Sequence, residues 1–124
     1  MSEQDVLSLP SQRRKYRNEP TVVGAICFSS AIEARRYQEL LVLERAGQIT
    51  NLRVHPRYGL QEGFRGFGGW WRRAITYEAD FAYDENGRPV VEDLKGGPAT
   101  QVFAIKSKLF EARYPEIELR VIRA

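Results

Sequence analysis

The stretch AITYEADFAYDENGRPVVEDLK, residues 74–95, decides how this chain folds. Asn86-Gly87 near its middle is the strongest short-range hairpin signal in the chain, because both residues tolerate the positive φ that a two-residue type I′ turn demands. Before the turn, residues 74–83 alternate well enough to be one strand, and residues 89–95 form the returning one. With a two-residue loop, Glu85 lies opposite Arg88. Counting outward, Asp80 falls opposite Asp93, and Glu78 opposite Lys95. Side chains two apart on a strand share a face. Glu78, Asp80, Asp93 and Lys95 are therefore expected together on one face of one hairpin. The alternative is a three-residue loop with a bulge, which sets Glu92 opposite Asp80.

Carboxylates directly opposed on neighbouring strands repel by up to about 1 kcal/mol when exposed, and by more when buried. A divalent cation reverses the sign of that interaction. Mg²⁺ takes a few carboxylate oxygens and keeps waters for reaction, so the aspartate pair reads as a metal cradle. An ammonium such as Lys95 beside metal-bound water orients that water or stabilises charge developing on a phosphate. The same four side chains also suit a solvated salt-bridge ladder on the wet face of an antiparallel hairpin. The hairpin alone divides these two readings evenly.

Working outward, residues 21–28 (TVVGAICF) suggest a short hairpin or strand with Gly24 at a turn, and Cys27 reads as a small buried apolar residue. A helix follows. Ser30 caps it, and Glu33 three residues later completes a capping box. Ala34, Tyr37 and Leu41 recur at helical spacing, widened by Ile32 and Leu40, and Ala46-Gly47 ends the helix. Residues 48–60 read as extended, broken at His55-Pro56. His55 as a general base is conceivable, though a structural place is the more usual one for a His-Pro pair. After the hairpin, Gly96-Gly97-Pro98 breaks the strand. Thr100 caps a second helix with apolar positions Val102, Ile105, Leu109 and Ala112, widened by Phe103 and Phe110. Tyr114-Pro115 ends that helix, and residues 117–122 form a last strand. The order β-α-β-β-β-α-β predicts an α/β (α+β) sandwich around a mixed sheet flanked by two helices.

An acidic residue at the end of an apolar strand, followed by a strand reading V-E-D-L-K-G, resembles the PD-(D/E)XK nuclease superfamily. Asp80 matches the first acid, and Asp93-Leu94-Lys95 matches the (D/E)XK tripeptide. Ala79 stands where the superfamily often has proline. The likeness runs over roughly residues 15–122. It is nearest to a group of small phage-borne proteins carrying KYRN, S-x-x-EARRYQEL, Y-x-A-D-F and VEDLKG. The resemblance implies a restriction-endonuclease-like fold over residues 21–124. It implies Mg²⁺ or Mn²⁺ on Asp80 and Asp93 with help from the Leu94 carbonyl, Lys95 as the catalytic lysine, and Glu33 as a further ligand. It also implies hydrolysis of DNA, with branched DNA as the preferred substrate of a homodimeric, resolvase-like phage enzyme. A non-catalytic nucleic-acid-binding or host-inhibiting phage protein on the same fold is the alternative, and a protein interaction module a third.

Residues 61–73, QEGFRGFGGWWRR, read as a long hairpin loop that interleaves aromatics with arginine. Rings stack on unpaired bases and guanidinium groups hold phosphates, which nominates Arg65, Trp70, Trp71, Arg72 and Arg73. Rings folded back onto the core, or a dimer contact, would also explain the loop. Lys106 and Lys108 on the second helix are further candidates. So are Arg14 and Lys15 in residues 1–20, read as a flexible basic arm. The 124 residues carry 19 Lys and Arg against 16 Asp and Glu, a mild net charge of +3 that permits a polyanionic partner without requiring one. One cysteine excludes an internal disulfide and makes a Cys-based zinc site a poor fit. With no apolar run of about 18 residues and no secretory leader, the expected location is the cytoplasm.

Overall fold

The computed structural model describes residues 20–24 and 26–123. The basic arm expected over residues 1–20, with Arg14 and Lys15, lies outside them except for Pro20. The chain divides into two compact units, Met1–Gln38 and Glu39–Ala124.

In the first unit, β1 (Thr21–Val23) and β2 (Ile26–Phe28) pair antiparallel. Gly24 sits between them at φ 61, a conformation that glycine adopts without steric cost. Strand alternation buries Phe28 and leaves Cys27 exposed, which corrects the expectation that the cysteine is internal. Helix α1 (Ala31–Arg45) starts in this unit and ends in the second. Ser30 caps it, its Oγ accepting the Glu33 N–H at 3.3 Å. At the far end Gln48 N–H donates to the Leu43 carbonyl at 2.9 Å and Gly47 N–H to that of Glu44 at 3.0 Å. With Gly47 at φ 78 this is a Schellman motif.

The second unit holds β3 (Thr50–Val54), β4 (Arg57–Gln61), β5 (Phe64–Arg65), β6 (Trp71–Arg72), β7 (Ile75–Glu78), β8 (Phe81–Glu85), β9 (Arg88–Lys95), helix α2 (Gln101–Arg113) and β10 (Glu118–Arg123). The main sheet has the order β10-β9-β8-β3. It is mixed: β10 runs parallel to β9, and the other pairs are antiparallel. The parallel pair needs a crossover, and α2 provides it. The α+β class with a mixed sheet and two helices agrees with the sequence reading.

One expected strand is two. Over residues 74–83 the chain breaks at Ala79-Asp80, so that β7 pairs with β4 while β8 pairs with β3. The opposite chain breaks at His55-Pro56. The ribbon nevertheless keeps one register through the bend, Val54 facing Phe81 on one side and Arg57 facing Glu78 on the other. His55 N–H donates to the Asp80 carbonyl at 2.9 Å, and Ala79 N–H to the Pro56 carbonyl at 3.0 Å. His55 adopts φ 53, and Pro56 has no N–H for a ladder. Glu78 therefore meets Arg57, Oε1 to Nε at 3.3 Å, and not Lys95. The expected four-residue cluster loses that member.

Leu60, Tyr77, Ala79, Ala82, Val91 and Phe110 form the core of this unit. Thr100 Oγ1 caps α2 by accepting the Phe103 N–H at 3.0 Å. The helix turns Phe103 and Phe110 inward, Phe110 lying 5.0 Å from the Tyr58 ring and 5.4 Å from Tyr77. The stripe expected to face the core points outward instead, with Val102 62% and Ile105 61% exposed. Two aromatic rings seven residues apart bury more apolar surface than the aliphatic stripe beside them, and they set the rotation of the helix. Among the described residues no helix is long and apolar enough to cross a membrane.

Candidate active site

The turn that anchors the site is the one the sequence marks. Asn86 and Gly87 adopt φ 53 and 76, the left-handed pair that a two-residue hairpin needs. Glu85 faces Arg88 and Phe81 faces Glu92, which is the two-residue register and not the bulged alternative. Asp80 comes next, at the bend. Its N–H donates to the Glu92 carbonyl at 3.1 Å. Its Oδ2 accepts the Leu94 N–H at 2.7 Å. The carboxylate stands where the departing strand no longer offers a backbone acceptor, and so satisfies a β9 donor.

Asp93 and Glu92 are neighbours on β9 and both are buried. They point to opposite faces of the sheet, and each receives a tyrosine hydroxyl. On one face Tyr83 donates to Glu92, and Arg120 donates to the Tyr83 oxygen at 3.3 Å and to Glu85 at 2.6 Å. On the other face Tyr77 donates to Asp93 Oδ2, and Lys95 Nζ lies 3.4 Å from Asp93 Oδ1. The same ammonium sits 3.8 Å from the centre of the Phe103 ring, a cation–π contact that fixes the long side chain. Burial pushes the Tyr77 phenol far above its ordinary pKa, helped by its bond to Asp93 and by the negative charges of Asp93 and Asp80. The charge of Asp80, at the bend, and of Asp93, on β9, thus both bear on one buried hydroxyl.

Tyr77 and Phe103 escaped the sequence reading. Nothing local marks Tyr77, three residues before Asp80, as a carboxylate partner, and Phe103 reads as an ordinary core ring. Glu33 lies in the first unit, where its carboxylate accepts the Ser29 hydroxyl. Among the described residues no three His, Cys, Asp or Glu side chains gather as a metal-ligand group. The donor set of the second unit, two aspartates, still suits a hard cation. Mg²⁺ is usually held by one or two carboxylates together with waters and substrate phosphate oxygens.

The nominated nucleic-acid residues fall in two places. Arg65, Trp70, Trp71, Arg72 and Arg73 are all exposed, at the end of the ribbon away from the bend. Lys106 is half-buried on the Phe103–Phe110 side of α2, and Lys108 is exposed. Residues two apart on a helix do not face the same way, so these two lysines do not form one patch. His55 serves the bend through its backbone.

Fold and site together describe an α+β protein with an aspartate pair and a lysine where a β-ribbon bends out of a mixed sheet. The chain belongs to the family described as Protein of unknown function (DUF1064), which matches residues 13–124. No curated protein and no solved structure matches the chain.

Proposed function

We propose that this protein is a Mg²⁺- or Mn²⁺-dependent endodeoxyribonuclease of the PD-(D/E)XK type that acts on branched or partly single-stranded DNA. The observation that carries the reading is the placement of Asp80 against β9, its Oδ2 on the Leu94 N–H at 2.7 Å, beside buried Asp93, whose Oδ1 lies 3.4 Å from the Lys95 ammonium. Asp80 and Asp93 would hold the cation. When bound, such an ion polarises a phosphoryl oxygen and lowers the pKa of a coordinated water. Lys95 orients the attacking water or offsets charge building on the phosphate oxygens. The Tyr77 hydroxyl pins the Asp93 carboxylate, and the Phe103 ring holds the Lys95 ammonium in place. A homodimer, which supplies two such sites, suits symmetric cleavage of a four-way junction.

The test is cleavage of plasmid and four-way-junction DNA with Mg²⁺, with EDTA, and by Asp93→Ala. The reading expects metal-dependent products that the substitution abolishes. A second reading, a non-catalytic DNA-binding or host-inhibiting protein, draws on the bond from Leu94 to Asp80, which gives that carboxylate a structural role of its own. Tight DNA binding with no cleavage under any metal would favour it.

A further inference from the structure

The ribbon that carries Asp80 at its bend ends in a tip whose chemistry the proposed active site does not use. There β5 and β6 pair, with Phe64 opposite Arg72 and Arg65 opposite Trp71. A single 3-10 turn, Phe67–Gly69, joins them. The turn is closed from both sides: Gly66 N–H donates to the Trp70 carbonyl at 2.8 Å and Gly69 N–H to that of Gly66 at 3.0 Å. Arg65 Nη1 reaches the Gly69 carbonyl at 3.0 Å, and its guanidinium carbon lies 5.7 Å from the Trp71 ring centre. The tip is therefore set in shape before any partner arrives.

Its rings do not return to the core. Phe67 is fully exposed, Trp70 is 78% exposed and Trp71 57%. Gly63 makes room for Trp71, since a Cβ there would stand 2.4 Å from Cζ2 of the indole. Phe67, Trp70 and Trp71 thus leave three large rings in solvent within five residues, which marks the tip as a binding element. Within residues 61–73 Arg65, Arg72 and Arg73 outnumber the single acid Glu62, so the complementary partner is anionic. Flat rings with interspersed cations are the chemistry that single-stranded nucleic acid takes, its bases stacking while its phosphates meet arginine.

We infer that the tip stacks on unpaired bases of single-stranded DNA, and so selects substrates with an unpaired segment near the cut. The inference rests on the nuclease reading and deepens it. Trp70 and Asp80 lie ten residue steps apart. Extended at about 3.3 Å each, they span at most about 33 Å. At the duplex rise of about 3.4 Å per base pair, that distance corresponds to about ten base pairs between the unpaired bases and the cleaved bond.

Trp70 and Trp71 are the only tryptophans in the chain, so intrinsic tryptophan emission reports the tip alone. The full chain is titrated in EDTA with a single-stranded oligonucleotide and with a blunt duplex of the same sequence. The single strand should quench the emission and the duplex should leave it nearly unchanged. Trp70→Ala and Phe67→Ala, both at exposed positions, should each weaken single-strand binding about 5- to 150-fold, the loss of one stacked base. Equal quenching by both DNAs, or unaltered affinity in both variants, would overturn the inference. So would an emission change that follows protein concentration without DNA, which would assign the tip to a second copy of the chain. Because the titration uses no metal, the two claims separate. A tip that stacks in a chain that cuts nothing keeps the stacking but removes the nuclease reading and the substrate selection with it, and cleavage with a silent tip overturns the inference and leaves the nuclease reading standing.

Discussion

Tyr77→Phe isolates one bond at the centre of the site. The ring keeps its contacts with Phe110 at 5.4 Å and Phe103 at 6.3 Å, so no cavity opens. What is lost is the hydroxyl that donates to Asp93. Both residues are buried, and a hydrogen bond to a charged group contributes about 1.5–3 kcal/mol. Each kcal/mol moves the Tm of a 124-residue chain by about 3–6 °C, so the melt of the metal-free protein should fall by at least about 4 °C. Urea titration should give the same loss with an unchanged slope. In a double-mutant cycle with Asp93→Asn the two substitutions should couple by at least about 1 kcal/mol. The sign with pH is also fixed. The Tyr77 pKa is raised by burial and by Asp93, so the phenol's contribution is whole below the ordinary phenol pKa of about 10 and is lost as pH rises past it. Stability should therefore decline in alkali more steeply in the native chain than in Tyr77→Phe. Equal melts for the two proteins, or zero coupling, would refute the claim that the phenol pins Asp93.

Other outcomes follow from the same structure. Gly87 sits at φ 76 in the turn that sets the register, and Gly87→Ala should cost about 1–2 kcal/mol in urea titration; an unchanged midpoint would mean that the turn tolerates a side chain. A hydrogen bond from Arg120 holds the Glu118 carboxyl below its ordinary pKa of 4.5. Its contribution is present above that value and lost as pH falls through the lowered one. The stability gap between the native chain and Arg120→Met should thus be full at neutral pH and narrow in acid, where Arg120 keeps its bond to the Tyr83 hydroxyl, and a gap that stays constant on acidification would contradict the pairing.

The parts of the fold that depend on neighbours in sequence were legible. Asn86-Gly87 defined the turn and the register that brings Asp80 to β9. Ser30, Thr100 and Gly47 marked helix ends through bonds within one turn. The parts set by distant partners were not. Alternation runs through Ala79-Asp80 without a mark, because the break there answers His55-Pro56 on the opposite chain. The rotation of α2 depends on which rings find Tyr58 and Tyr77, and the heptad-like stripe of Val102, Ile105 and Leu109 gave the wrong face. Tyr77 and Phe103 joined the site through contacts that no spacing encodes. Cys27 was misplaced because strand alternation, not residue type, decides which side a short strand buries.

The claim on which the account turns is that Asp80 and Asp93 share one divalent cation. Anomalous scattering from a crystal grown with Mn²⁺ tests it directly. A single strong peak is expected, touching a carboxylate oxygen of each aspartate with Lys95 beside it, and no such peak in Asp93→Ala. A crystal saturated with Mn²⁺ that shows no ion there, or an ion bound elsewhere with Asp80 still accepting from the Leu94 N–H, would contradict it.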